Sequence, residues 1–404
     1  MIALRVALLA VLLAAAGAAR GQQDTAADVA PALRPAVAAY RAGDLGTAEA
    51  AFRSRAPHDA DAEAWLGAVL LDRGAEREGL RLIQHSADAG SPEGAHRLGL
   101  VYAQGSAGSP RNDAKALALF EKAAAAGHAR AQLNVGILYF RGQGVAPDLV
   151  QARAWLEQAA AGGDPQALYA LGRALSETRG QAVADPVRAA DLYRRAAEKG
   201  HVFAGLRYGL ALSEGSGIRR DPAAAQRWLV QAQESGVPEA ALALGDMAAR
   251  TPASRDKAAN EKIVKAALSW YEVAAYGGVP SAQFKLANAY FAGVGVPRDP
   301  AQALLWYSRA AQQGLPQAQH ALGIMLMGGV AGPSDPVEGY KWLVLAEHGG
   351  NVDSRTVREK AAEQLAEADR RRAEALAQSF AATLERPIDE APARLVAPRT
   401  PSSR

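Results

Sequence analysis

Two glycines one residue apart, Gly293 and Gly295, open a run that reads FAGVGVPRDPAQALLWYSRAAQQG from residue 291 to 314. A Gly-rich turn leading into a helix can cradle phosphate, because free backbone amides and the positive end of the helix dipole meet there. A dinucleotide loop of that kind follows a strand and needs a third glycine; here Arg298 stands in that place and a helical stretch precedes. The phosphate-binding lysine motif is missing from the chain too. Gly142-Gln-Gly144 and Gly215-Ser-Gly217 occur in the same surroundings, which marks all three as joints between repeated elements. The seven histidines form no close His-x-x-x-His pair of the kind that binds metal from one helix face. His128 and His201 each follow a glycine and are expected at an exposed turn, while His96 and His320 occupy one recurring position. No Ser-His-Asp set and no paired carboxylates stand out. The expectation is therefore a protein without catalysis, metal or cofactor.

Those recurring positions imply the elements that hold them. Leu98-Gly99, Val135-Gly136, Leu171-Gly172, Tyr208-Gly209, Leu244-Gly245, Leu286-Ala287 and Leu322-Gly323 are spaced 36 or 37 residues apart, with one interval of 42. A second column, Gly90, Gly127, Gly163, Gly200, Gly236, Gly278, Gly314 and Gly350, keeps step with the first. Five of the six tryptophans, at 155, 228, 270, 306 and 342, each sit eight residues before one of these closing glycines. Tryptophan can stack on sugars or peptides, but this helical phase assigns the column to a core. An apolar column follows it: Phe120, Leu156, Tyr193, Leu229, Tyr271, Tyr307 and Leu343.

Each unit reads as two helices. The first carries apolar residues four apart, as in Ala131, Val135 and Tyr139. The second starts at Asp148, Asp185, Asp221, Asp299 or Asp335, mostly followed by proline, which together suit an N-cap and first helical position. It ends at a glycine suited to a left-handed C-cap. One helix pair cannot bury both of its faces, so the units must stack. The class is all-α, a solenoid of helix-turn-helix repeats.

The columns Ala, Leu-Gly, Tyr, Gly-x-Gly-Val, Asp, Ala, Trp, Ala-Ala and Gly, best kept in residues 131–163 and 282–314, resemble the Sel-1-like repeat, a relative of the tetratricopeptide repeat. The resemblance runs over residues 91–350 and implies a right-handed superhelix that presents an extended surface to protein partners. Three departures stand out: Ala287 replaces a column glycine, residues 176–186 lack Gly-x-Gly, and residues 249–263 enlarge one inter-helix loop. Residues 27–90 read as a tetratricopeptide-like pair (Tyr40 to Phe52) followed by a shortened unit. Residues 351–386 read as C-terminal capping helices, and the Pro-rich residues 387–404 as a disordered tail.

Arg5, the apolar run Val6 to Ala15 and the small residues Ala16 and Ala18 have the pattern of an export signal over residues 1–18. The run is shorter than the roughly 20 residues that span a bilayer, so cleavage to a periplasmic or secreted form is expected, with a retained anchor as the rival. The chain has 404 residues and no cysteine, which excludes disulfides and thiolate chemistry. With 45 basic against 42 acidic residues, it offers no charge excess for nucleic acid.

The first helices of the units supply a candidate surface. Positions two before and one after the column glycine are neighbours on that helix. They comprise Arg97, Asn134, Arg173, Arg207, Asp246, Lys285 and Asn288, more basic than acidic, and would suit an acidic peptide or glycan. The function expected is a non-catalytic interaction scaffold, with envelope or polysaccharide-secretion assembly or host interaction as the settings the resemblance implies. The alternative is a protein that binds or acts on cell wall or glycan.

Overall fold

The computed structural model describes residues 29–105, 109–178, 180 and 182–385. The expected signal (1–18) and tail (387–404) lie outside them. Among the described residues there are twenty α-helices and no β-strand, arranged as the all-α solenoid that the repeats predict. They form two compact units divided after Arg220.

The first unit holds α1 (Arg34–Arg41), α2 (Leu45–Arg55), α3 (Ala60–Asp72), α4 (Glu76–Asp88), α5 (Pro92–Gln104), α6 (Asp113–Ala125), α7 (Ala129–Arg141), α8 (Leu149–Ala160), α9 (Pro165–Leu175), α10 (Pro186–Glu198) and α11 (Val202–Glu214). The second holds α12 (Pro222–Glu234), α13 (Pro238–Ala249), α14 (Lys257–Tyr276), α15 (Pro280–Ala292), α16 (Pro300–Gln312), α17 (Pro316–Met327), α18 (Pro336–His348), α19 (Val352–Gln364) and α20 (Glu367–Glu385). Within each unit, successive helices pack on one another, as a stack of hairpins requires, except that the last helix, α20, packs on α18 beside α19.

Local chemistry sets the boundaries as the repeats predict. Asp148, Asp185, Asp221, Asp299 and Asp335 cap α8, α10, α12, α16 and α18, each carboxylate accepting from an otherwise unpaired amide of the first turn. The closing glycines hold φ between 71° and 89°, the left-handed region where a Cβ is penalised.

The column glycines work by absence. A Cβ at Gly136 would lie 2.6 Å from Leu156 Cγ; at Gly99, 2.6 Å from the Phe120 ring; at Gly245, 2.6 Å from the Tyr271 ring. The two helices of a repeat therefore touch backbone to side chain. The residues that fill the gap belong to the column after the tryptophans, which is buried throughout. The tryptophan column itself divides. Trp306 and Trp342 are buried, but Trp155, Trp228 and Trp270 are only half-buried, so the expectation of a uniform tryptophan core is corrected. In those three repeats the position eight before the closing glycine lies at the edge of the inter-helix seam, and the next residue points into it.

A further stitch joins neighbouring repeats. Buried Gln132, Gln283 and Gln319 each donate a side-chain N–H to a carbonyl eight residues earlier, on Ala124, Ala275 and Ala311, at 3.1 to 3.3 Å. This ties the first helix of one repeat to the end of the preceding helix.

Candidate interaction surface

The seven surface positions read from the sequence do not stay one kind of residue. Four lie in the first unit. Arg97, on α5, pairs with Glu93 at 2.5 Å and lays its guanidinium 3.5 Å from the centre of the Trp65 ring. Asn134, on α7, places Nδ2 3.2 Å from His96 Nε2. These two belong to a buried polar seam, not to an open surface. Arg173, on α9, is half-buried over Phe140, and Arg207, on α11, is exposed.

Three lie in the second unit, and the structure gathers them. Asp246, on α13, accepts from the Tyr271 hydroxyl at 2.8 Å and sits 3.2 Å from Lys285 Nζ of α15. Asn288, exposed on α15, accepts from the Tyr307 hydroxyl. Burial, then the Asp246 carboxylate, pushes the Tyr271 hydroxyl well above the ordinary tyrosine value, so it remains a donor.

The buried seam was not foreseen. His128 and His201, expected at exposed turns, are both buried and act as N-caps. The Nδ1 of His128 accepts from Ala131 N–H at 3.2 Å, and that of His201 from Ala204 N–H at 3.1 Å. Each ring stacks on the aromatic side chain at one recurring position: His128 on His96 with centroids 4.6 Å apart, His201 on Tyr169 at 4.4 Å. The signal lay in the column after the closing glycine. In the first unit it reads Ser91, His128, Asp164 and His201, all side chains that can accept from a helix amide, where the second unit has Val237, Val279 and Leu315 before Asn351.

Glu93, His96 and His128 bring three potential metal-ligand atoms within 4.8 Å of one another, all buried. Proton bookkeeping assigns them a different task. With Nδ1 of His128 accepting from a backbone amide, its neutral ring carries the proton on Nε2 and donates it to Glu93 Oε2 at 3.0 Å. Coordination through Nε2 would need an imidazolate or the loss of the cap, and Arg97 already occupies the other carboxylate oxygen. Burial alone would raise the Glu93 carboxyl, but the Arg97 charge and the His128 hydrogen bond outweigh it and hold it below the usual carboxylate range. Burial, and then His128, pushes His96 well below the ordinary histidine value, so its ring is neutral.

Comparison with known proteins decides the family. The Sel1 repeat model matches residues 92–128, 129–164, 165–201, 204–237, 280–315 and 316–351, together more than half of the chain. The chain belongs to the Sel1 repeat family. Among solved structures, a Sel1 repeat protein from Oxalobacter formigenes is 30% identical with a TM-score of 0.61, over 76% of this chain and 89% of that one. A protective antigen of uropathogenic Escherichia coli with the SLR fold is 26% identical with a TM-score of 0.58, over 89% and 84% of the two chains.

Two curated relatives match over shorter stretches. The HRD3B component of an ERAD-associated E3 ubiquitin-protein ligase from Arabidopsis thaliana is 36% identical over 106 residues, 26% of this chain and 16% of that protein. Chitin synthase regulatory factor 3 of Schizosaccharomyces pombe is 28% identical over 228 residues, 55% of this chain and 24% of that protein. The matched stretches thus span less than a quarter of each relative. Sel1 repeats mediate protein–protein interaction. No helix among the described residues is long and apolar enough to cross a membrane.

Proposed function

We propose that this Sel1 protein is a non-catalytic scaffold that works in the periplasm or outside the cell and holds a protein partner along the first helices of its repeats. The observation that carries this is the fate of the polar side chains on those helices. Where a catalytic or ligand-binding set would converge on one point, most are spent on stitching repeats together, and Arg173 and Arg207 keep their charge with no carboxylate partner among the described residues. An extended surface with distributed, mainly basic positions suits a partner segment that carries carboxylates along its length. The relatives agree in kind: one is described as a component of a larger ligase, the other as a regulatory factor of an enzyme. The export pattern of residues 1–18 supports action beyond the cytoplasm, in envelope or polysaccharide-secretion assembly or in contact with a host.

The test is affinity capture from envelope extract with the full chain and with the double variant Arg173→Glu/Arg207→Glu. Among the described residues neither arginine pairs with a carboxylate that the reversal would strand, as Lys285→Glu would strand Asp246. A specific partner should be held by the full chain and lost, or weakened about tenfold, in the variant. A partner retained at full strength by the variant would remove these helices from the binding surface.

A further inference from the structure

Two departures from the repeat pattern resolve differently in the structure. Residues 249–263 do not form one enlarged loop: only residues 250–256 are loop, and 257–263 lengthen α14 to 20 residues. Residues 176–186, which lack Gly-x-Gly, are held by another device. Arg153 of α8 donates to Ala174 O from Nε at 3.1 Å and from Nη2 at 2.9 Å. The same side chain donates to Glu177 O at 2.6 Å and to Val183 O at 2.7 Å.

This closes the end of α9. The last four carbonyls of a helix have no partner within it. Here Gly172 O and Arg173 O accept from Ser176 N–H, Ala174 O from Arg153, and Leu175 O from Asp185 N–H. Arg173 stands in this last turn, where an arginine can fold back on the carbonyls of its own helix. With those carbonyls taken, its guanidinium lies over the Phe140 ring, 5.3 Å from the centre. Among the described residues it neither donates a hydrogen bond nor pairs with a carboxylate.

Arg207 of α11 is a second cation in that condition. The other two among the candidate positions are neutralised, Arg97 by Glu93 and Lys285 by Asp246. Arg173 and Arg207 come from adjacent repeats, and both charges reach one point. The Tyr193 ring of α10 packs where a Cβ at Gly172 would stand, 2.8 Å from Cε1, and its hydroxyl lies 2.9 Å from Ser176 Oγ. Ser176 spends its own proton on Gly172 O, so Tyr193 donates to Ser176. Burial raises the Tyr193 hydroxyl; the Ser176 hydrogen bond, and then the charges of Arg207 and Arg173, act to lower it. The next acids along the chain, Glu177 and Glu214, stand about one and two helical turns beyond the two arginines. Two cations thus flank one spot without an anion paired to either.

We propose that Arg173 and Arg207 form a pincer for one side-chain carboxylate of an extended partner segment, which lays an apolar side chain on Ile137 one repeat away. This deepens the scaffold function above and rests on it. Guanidinium groups supply the paired N–H donors that a planar carboxylate takes. A phosphate calls for further donors, but the Tyr193 and Ser176 protons are spent, and the end of α9 presents carbonyls where a phosphate site presents amides. Arg207 is exposed, so the pincer is open and a chain can run across it. Ile137, half-buried on α7, holds the place that Arg173 holds on α9, one residue after a column glycine, and the two helices touch. Touching helices lie roughly 10 Å apart, a distance an extended chain covers in about three residues. The segment therefore carries its apolar and acidic residues three positions apart.

The probes are N-acetylated, C-amidated Leu-Ser-Ser-Glu and Glu-Ser-Ser-Leu, in which the side chain is the one carboxylate. They are titrated into the full chain and followed by NMR through the arginine Nε–H signals, with Arg173→Lys and Arg207→Lys assigning the two resonances. With one of the probes, according to the direction of the chain, both signals should shift and saturate together. Replacing Glu by Gln, or Leu by Ser, should weaken this binding about tenfold. Each lysine variant, read at the remaining arginine, should weaken it about fivefold, because an ammonium lacks the paired donors. Circular dichroism confirms that the variants are folded. No shift with either probe, a shift of one arginine alone, or equal binding after Gln or Ser replacement overturns the proposal. So does tighter binding when phosphoserine replaces Glu, which would make the pincer a phosphate site. Equal binding of a Gln probe whose C-terminal carboxylate is left free would assign it to a chain end and overturn it likewise. If the probes fail while Arg173→Glu/Arg207→Glu still abolishes partner capture, the pincer falls and the scaffold function stands.

Discussion

The His201 ring offers a quantitative test of how the repeats are joined. It is buried, caps α11 through Nδ1 and stacks on Tyr169. Burial pushes its pKa down from 6.5 to about 4. In the unfolded chain the ring takes up a proton near pH 6.5; in the folded chain it resists until about pH 4. Between those values the unfolded state binds more protons, so stability falls as pH falls. At 1.36 kcal/mol per pH unit, the loss is about 2 kcal/mol at pH 5 and reaches about 3 kcal/mol near pH 4. The protonated ring also cannot accept from Ala204 N–H, so the cap fails with it. His201→Asn keeps a capping oxygen but does not titrate. It should be less stable than the parent at pH 8, having lost the stacked ring, yet lose less on acidification. Hydrogen exchange of the α11 amides at pH 8 and pH 5 reads this locally, which suits an array whose repeats need not unfold together. The other six histidines are common to both proteins and cancel in the difference. Equal pH slopes for parent and variant would refute the assignment of a buried, neutral, capping ring.

Two further outcomes follow from other sites. Glu93→Gln removes the carboxylate facing Arg97 and His128 in the buried seam and should destabilise the first unit by about 3 kcal/mol, read by urea denaturation. Gly136→Val forces a Cβ against Leu156 and should lower stability by about 2 kcal/mol, seen as a lower thermal midpoint with helix content retained below it.

Much of the fold was legible because a repeat states its rules many times over. Asp299 alone would be a weak helix-start signal; five aspartates in register with closing glycines, four of them before prolines, are a strong one. What stayed hidden was orientation. Trp155 and Leu156 are adjacent and both apolar, and only packing shows that Leu156 faces Gly136 while Trp155 stays at the edge. The candidate surface was less legible for the same reason. Arg97 and Arg207 hold equivalent places in their repeats, yet Arg97 lies over Trp65, a residue of the shortened N-terminal unit that has no counterpart beside Arg207. The seam of Glu93, His96 and His128 draws on residues 35 positions apart, and spacing within one helix could not reveal it.

That seam bears on how an array of near-copies chooses its order. Hairpins built from the same columns can stack on the wrong neighbour as readily as on the right one, and repeat proteins are prone to such misassembly. Glu93 is different: it needs a histidine at the first cap of the next repeat, as at His128 and, further along the chain, His201, to offer the buried carboxylate its matching proton, while Arg97 reaches back to Trp65. A hairpin without a histidine cap stacked there would leave the charge buried without its full set of partners, a penalty of several kcal/mol. The first repeat thereby carries an address, and its position in the chain is written in proton chemistry as well as in shape.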